Sequence, residues 1–338
     1  MNTRQQWRLG RRPTGAPTPQ DFTWHEEPLP TPGPGEVLVE NHFLSLDPYM
    51  RGRMNAGKNY AVPQPLHEVM IGGTVGQVVQ SCHPDFAVGD AVVGMGGWQS
   101  HSVFADPAVG MWRKVSAEVP LSAYLGVVGM PGVTAWVGVN RILQPQAGET
   151  LLVSAASGAV GSVVGQLAKA KGARVVGLAG GPDKCAYVRD DLGFDACLDH
   201  KALPDLASMQ RALAEVAPNG VDSVFENVGG VGFDAALGAT NAFARVAVCG
   251  LIAGYNGEPI ALTNTRALLV NRLRVQGFIV TEHPDAWPPA LAELEGLVAA
   301  GALRFRQSVA QGLAAAPEAF IGLLQGRNFG KQLVQLVG

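Results

Sequence analysis

The chain has 338 residues, 47% of them apolar and 16% charged, with a formal net charge of −3. That length exceeds what one compact core usually holds, so two domains are expected. The small net charge gives no general attraction for nucleic acid or an anionic membrane, and no apolar run approaches the ~20 residues that span a bilayer.

Arg4, Arg8, Arg11 and Arg12 make the start of the chain basic, but no apolar secretory core follows. Gln5-Gln-Trp-Arg-Leu9 reads instead as a first strand. The first ~120 residues are rich in proline, glycine and short alternating strands, the texture of a compact β-barrel. Pro28-Leu-Pro-Thr-Pro-Gly-Pro-Gly35 is a stiff lead-in to the strand Glu36-Val-Leu-Val-Glu40, and further strands fit 71–79 and 90–94. Near residue 120 the texture changes. Residues 121–143 read as helical with a break at Pro131, and strands then alternate with helices. Candidate strands are 150–155, 174–179, 195–198, 221–226, 243–250 and 274–280, which with their intervening helices predict a doubly wound parallel sheet. Helical periodicity resumes at 290–300, and the chain ends in the strand Gly330-Lys-Gln-Leu-Val-Gln-Leu336. The organisation read from this is a β-rich domain, an inserted nucleotide domain and a C-terminal return to the first. The cysteines at 82, 185, 197 and 249 are scattered with no close pair in sequence, which reads as reduced thiols in a cytoplasm.

Ala156-Ser-Gly158-Ala-Val-Gly161 follows the apolar run Thr150-Leu-Leu-Val-Ser-Ala155 and opens a helix on which Val163, Val164, Leu167 and Ala168 recur at helical spacing. Strand, glycine turn and helix N-terminus make a pyrophosphate site, so Ala156, Gly158, Ala159, Val160 and Gly161 are its candidate residues. About 20 residues further, an NAD site places an acid on the ribose 2′-hydroxyl. This chain has Gly180-Gly181 and then Lys184. With no carboxylate to repel it and a cation nearby, a 2′-phosphate fits better, and the cofactor expected is NADPH.

Several words of the chain resemble the zinc-independent branch of the medium-chain dehydrogenase/reductase superfamily, the NADPH-dependent alkenal, leukotriene/prostaglandin and curcumin reductases. They are Ser45-Leu-Asp-Pro-Tyr-Met-Arg-Gly-Arg-Met54, Gly129-Met-Pro-Gly-Val-Thr-Ala135, the glycine turn, Glu226-Asn-Val-Gly-Gly230, Cys249-Gly-Leu-Ile-Ala-Gly-Tyr-Asn256 and Asn328-Phe-Gly-Lys331, in the family's order and over nearly the whole chain. Ala179-Gly-Gly-Pro-Asp-Lys-Cys185 with Cys197-Leu-Asp-His200 is most similar to the bacterial curcumin reductases. The resemblance implies an α/β protein with a GroES-like catalytic domain over 1–123, completed by 303–338, and a Rossmann NADP-binding domain over 124–302. The superfamily's zinc-binding Gly-His-Glu segment aligns with Ile71-Gly72-Gly73, and Asp47-Pro-Tyr-Met-Arg51 stands at the place of its early cysteine. His67-Glu68 is out of register. Zinc needs three or four converging ligands, so no metal is expected.

The activity implied is reduction of a C=C bond conjugated to a carbonyl, with a small-molecule enone as substrate. Hydride adds to the β-carbon, and the charge that moves onto the carbonyl oxygen needs a hydrogen-bond donor. The resemblance places Tyr255 beside the nicotinamide and Tyr49 in the substrate wall; the cofactor ribose 2′-hydroxyl is another donor, and either tyrosine also fits as a packed aromatic. It puts Met130 and Thr134 on the nicotinamide face and carboxamide, and closes Asn328 over the nicotinamide half. Asn227 follows a sheet strand at the carboxyl edge where ligands bind, and also fits as a turn residue before Gly229-Gly230. The prostaglandin reductases use a Ser and a Tyr on the 2′-phosphate where this chain has Gly181 and His200. Lys184 is then the main cation, His200 an alternative donor, and Arg189 and Lys201 weaker candidates. Two other functions fit the same words: a quinone reductase, and a non-catalytic NADP-binding sensor. The strand Arg274-Val-Gln-Gly-Phe-Ile-Val280 resembles the sheet edge that pairs across a two-fold axis in the superfamily, so a cytoplasmic homodimer is expected.

Overall fold

In the computed structural model, residues 3–337 are described; residues 1, 2 and 338, at the ends of the first expected domain, lie outside them. Internal contacts divide the chain into two units, one made of residues up to Gly126 and from Gln307 onward, the other of Val127–Arg306.

The first unit begins with an antiparallel pair, β1 (Thr3–Leu9) and β2 (Phe22–Pro28), with Trp7 opposite Trp24. β3 (Val37–Ser45) leads into the one-turn helix α1 (Tyr49–Arg53), and β4 (Thr74–Ser81), β5 (Ala91–Gly94), β6 (His101–Phe104) and β7 (Arg113–Lys114) follow.

The second unit opens with α2 (Met130–Val137), which continues as a π-helical turn over Gly138–Leu143. Pro131 does not break a helix. It sits in the first turn of α2, where its missing N–H has no partner to lose, and the interruption falls upstream at Gly126–Gly129. Then come β8 (Thr150–Val153), α3 (Gly161–Ala170), β9 (Arg174–Ala179), α4 (Pro182–Ala186), β10 (Ala196–Asp199), α5 (Leu206–Val216) and β11 (Val221–Glu226). α6 (Gly230–Gly238), β12 (Thr240–Val248), α7 (Arg266–Val270), β13 (Arg274–Gly277) and α8 (Trp287–Ala299) complete it. The sheet order is β10-β9-β8-β11-β12-β13, all parallel, so the order reverses between β8 and β11. β8, buried throughout, reads as a continuous apolar run because the sheet is covered on both faces. Below the strands, Leu152, Val176, Val224 and Val246 pack with Met209 and Leu213 of α5 and Phe233 of α6.

The chain then returns to the first unit with β14 (Gln307–Gln311), α9 (Ala316–Leu324) and β15 (Lys331–Gln335). The first unit's larger sheet runs β14-β15-β3-β4-β5-β7, with β6 also on β3. α9 closes the core beneath it: Phe320 meets Trp98 edge-on at 5.5 Å, and Trp98 stacks on Phe22 at 5.3 Å. β15 pairs antiparallel with β3, Leu333 opposite Ser45, so Lys331 falls opposite Asp47. Its ammonium donates to the Asp47 carboxylate at 2.8 Å and to the Leu46 carbonyl at 2.7 Å, both side chains being almost fully buried. The Ser45 hydroxyl donates to the other Asp47 oxygen. Burial holds the Lys331 ammonium below its usual range while Asp47 opposes that shift.

Candidate active site

In the second unit, the loops leaving the carboxyl ends of β8, β9, β10, β11 and β12 carry most of the residues singled out from the sequence. Ligands of open α/β sheets bind at that edge, at the point where strand order reverses.

The turn after β8 is tight. Ala155 adopts a left-handed φ of 49°, and Gly158 N–H donates to its carbonyl at 2.8 Å. A Cβ at Gly161 would run into that carbonyl and come within 3.0 Å of Ala156 Cα, so only glycine lets α3 start this close to the strand. Ala156 is buried under the turn, with its N–H on the Leu178 carbonyl at 2.9 Å. Gly158, Ala159 and Val160 are part-exposed at the start of α3, which runs 10 residues and has no side-chain cap at its N-terminus. An uncapped helix start behind a glycine turn is a place for an anion, and the residues fit a pyrophosphate.

The loop after β9 carries the cations. His200 rests on Gly180: a Cβ there would lie 2.8 Å from His200 Nε2 and 3.1 Å from Lys201 Cε. Gly181 has φ 102°, a conformation that glycine tolerates. Desolvation lowers the Lys184 ammonium first, and the Lys201 charge lowers it further. For His200, desolvation again acts first; Lys201 and Lys184 then push it down while Asp199 pulls it up. Lys184 and Lys201 therefore repel each other, with the His200 imidazole held toward its neutral form beside them, and an anion here would relieve that repulsion. Lys201 joins this cluster, whereas Arg189 lies 3.9 Å from the neighbouring Asp190 carboxylate. Of the acids beside the cluster, Asp183 directly precedes Lys184, and Asp199 is already engaged: one oxygen accepts from the amides of Gly181 at 2.7 Å and Lys201 at 3.0 Å. Burial works to raise its carboxyl, but those amides and the neighbouring cations hold it below its usual value. It orders the loop. The donor set suits a 2′-phosphate.

At the ends of β11 and β12 the backbone is held by a buried carboxylate to which sequence reasoning gave no role. Glu226 Oε1 accepts from the Ser154 hydroxyl at 2.9 Å and the amides of Val228 at 2.6 Å and Gly229 at 2.7 Å. Burial lifts its carboxyl above the usual range against those hydrogen bonds. Asn227 turns inward: its N–H donates to Ser154 Oγ at 2.8 Å, its Nδ2 to the Ser154 carbonyl at 2.7 Å, and its Oδ1 accepts from the Cys249 thiol at 3.0 Å. Tyr255 follows the short turn Ile252–Gly254 after β12. Its hydroxyl folds back so that Oη lies 3.4 Å, and the Asn227 carbonyl 3.1 Å, from where a Cβ on Gly250 would stand. Met130 and Thr134 share the first turns of α2, and the Thr134 hydroxyl donates to the Met130 carbonyl at 2.8 Å, leaving its lone pairs as acceptors.

Tyr49 and Asn328 belong to the first unit. Tyr49 opens α1 and packs against the aromatic core around Trp98; burial first, then the Asp47 charge, raises its phenol well above the usual value, so it stays a protonated donor. Asn328 lines a shallow depression with Ser308, Arg327 and Gln332, its Nδ2 on the Gly330 carbonyl at 2.7 Å. Among the described residues no group of three or more His, Cys, Asp or Glu side chains could hold a metal ion. No helix among them is long and apolar enough to cross a membrane.

The family described as an N-terminal domain of oxidoreductase matches residues 5–111, and the one described as zinc-binding dehydrogenase matches 159–296. The NADPH-dependent curcumin reductase of Escherichia coli (strain K12) is 44% identical over 342 residues, covering 99% of this chain and 97% of the relative. The NADP(+)-dependent 2-alkenal reductase of Nicotiana tabacum is 40% identical over 90% of this chain and 88% of its own length. The crystal structure of CurA from Vibrio vulnificus in complex with NADPH superposes with a TM-score of 0.92 at 45% identity, covering 99% of both chains. The chain belongs to the medium-chain dehydrogenase/reductase superfamily, in the branch of alkenal, prostaglandin and curcumin reductases.

Proposed function

We propose that this protein is an NADPH-dependent reductase of the C=C bond of α,β-unsaturated ketones and aldehydes, with diarylheptanoids such as curcumin among its candidate substrates. The observation that carries this is the carboxyl edge of the second unit's sheet. There an uncapped glycine turn, a cation cluster in which Asp199 is engaged by backbone amides, and a tyrosine hydroxyl belong to one set of loops. The names of the relatives support the same chemistry.

The second unit acts as the nucleotide domain. The turn at 156–161 holds the pyrophosphate, and Lys184 with His200 and Lys201 holds the 2′-phosphate. Met130 and Thr134 orient the nicotinamide carboxamide, and Glu226 with Ser154 fixes the backbone at Asn227. Bound NADPH supplies a hydride for the β-carbon of the enone. Tyr255 donates its hydroxyl proton in a hydrogen bond to the carbonyl oxygen as negative charge builds there, which favours the transition state over the ground state. The α-carbon takes a proton from a side chain or water. In the first unit, Tyr49 is a substrate-wall residue and Asn328 a cofactor residue. Rapid mixing of the protein and NADPH with enones tests this: oxidation of NADPH with formation of the saturated ketone is expected. Turnover of saturated ketones without any turnover of enones would overturn it.

Lys184→Ala is expected to weaken NADPH binding by about 10- to 100-fold, the worth of a charge-assisted hydrogen bond, while NADH binding changes little. Parallel fluorescence titrations with the two cofactors check this. Equal losses would mean that the lysine does not read the phosphate.

A cytoplasmic homodimer is the assembly proposed. β13 is an edge strand exposed along its length, with Val275 44% exposed and, on the preceding α7, Leu268 43%, Leu269 80% and Val270 50% exposed. An exposed parallel edge preceded by an apolar helix of this kind is covered well by a second copy of itself. Light scattering coupled to size exclusion would give twice the chain mass; a monomer across micromolar concentrations would exclude that assembly.

A further inference from the structure

Two cysteines from consecutive elements of the fold meet beside the cation cluster. Cys185 lies in α4 and Cys197 in β10, with their sulfurs 3.2 Å apart and the Cys197 thiol directed at Cys185. Both are free, and the proposed reduction uses neither. Cys185 directly follows Lys184 in the same helical turn. Cys197 stands two residues before Asp199, whose carboxylate holds the amides of Gly181 and Lys201. The sulfur pair therefore ties together the two chain segments that carry the cations.

We propose that Cys185 and Cys197 form an oxidative modification site, a dithiol that a hydroperoxide closes to a disulfide, and that closure loosens the hold on the 2′-phosphate of NADPH. The inference rests on the assignment of Lys184, His200 and Lys201 to that phosphate. Cys197 is part-exposed on the edge strand of its sheet, Cys185 is buried beside it, and the first oxidation is assigned to Cys197. The Cys197 sulfur attacks the distal oxygen of the hydroperoxide; the O–O bond breaks, and the thiol proton leaves on the alcohol. The resulting sulfenic acid is attacked by the Cys185 sulfur, its S–O bond breaks, and water departs with the second thiol proton. Two thiols lose two electrons, and the hydroperoxide is reduced to alcohol and water. Burial pushes both thiols above their usual range, so few are thiolate at rest and closure requires sustained oxidant. Bond formation draws the sulfurs together by about 1 Å. That pulls α4 on β10 and shifts Lys184 against Asp199 and His200.

The test compares the reduced protein with protein treated with tert-butyl hydroperoxide. Peptide mass spectrometry reads the cross-link, and fluorescence titration reads the dissociation constants of NADPH and NADH. A Cys185–Cys197 linked peptide is expected, with the NADPH constant raised by about fivefold or more, the NADH constant little changed and dithiothreitol restoring both. Cys197→Ser and Cys185→Ser should each abolish the response. By reciprocity, saturating NADPH should shift the dithiol–disulfide equilibrium of the native protein toward the dithiol in a dithiothreitol redox buffer. Absence of the linked peptide, or a linked peptide with unchanged NADPH affinity, overturns the proposal. Reduced protein that binds NADPH no tighter than NADH also overturns it, and there the fault lies in the phosphate assignment. A clear NADPH preference that oxidation leaves untouched places the fault in the dithiol.

Discussion

Tyr255→Phe is expected to lower kcat for an enone by roughly 100- to 1000-fold, the range for losing one hydrogen-bond donor to a developing oxyanion. The Michaelis constant should move far less, because the hydroxyl is needed where charge accumulates and not where the neutral substrate binds. The expectation rests on where the residue lies. The short turn Ile252–Gly254 returns the Tyr255 ring toward the end of β11, and glycine at 250 leaves room between its hydroxyl and the Asn227 carbonyl. Phenylalanine keeps the ring and its packing, so a loss of rate reports on the hydroxyl alone. Steady-state kinetics at saturating NADPH check it. An unchanged kcat would transfer the role to the ribose 2′-hydroxyl or to water.

Lys331→Met is expected to destabilise the first unit by about 3–5 kcal/mol, the range for removing one partner of a buried ion pair. The thioether is close to lysine in volume, so packing is largely kept. Among the described residues Asp47 is left with the Ser45 hydroxyl to answer its charge, and the Leu46 carbonyl loses the Lys331 donor. Asp47→Asn in the same chain removes the stranded charge, so the double variant should recover part of the loss, a coupling that marks the two as one unit. Denaturant midpoints for the two single variants and the double variant measure it. A loss below about 1 kcal/mol for Lys331→Met would mean that the pair does not hold β15 and the start of α1 together.

What was legible in the sequence was mostly local. The glycine turn at 156–161, the apolar run of β8 and the alternation of strand and helix gave the six parallel strands with edges close to those observed, because each depends on neighbours within a few residues. Pro131 misled: a proline inside an apolar helical pattern reads as a break, yet at the start of a helix it is tolerated, and only the position of the start decides. Pairings across long separations were not legible. Lys331 and Asp47 are 284 residues apart and meet because β15 takes one particular register against β3. Cys185 and Cys197 are only 12 residues apart, yet their meeting also depends on how α4 folds back over the strand pair β9 and β10, which no local pattern states. Glu226 stands in a motif that assigns it no role; a lone glutamate ending an apolar strand signals burial, but only the three donors around it give it a purpose. The site residues 49, 130, 134, 255 and 328 follow from family resemblance and Asn227 from its place after a sheet strand, and the fold explains their neighbours more than their individual chemistry.

The enone reaction is tested most directly by following the hydride. The protein is supplied with NADPH carrying deuterium at the nicotinamide C4 position that is transferred, and with an α,β-unsaturated ketone; the product is then read by mass spectrometry and proton NMR. A saturated ketone with one deuterium at the β-carbon, and solvent hydrogen at the α-carbon, is the predicted product. Deuterium on the carbinol carbon of an allylic alcohol would contradict it.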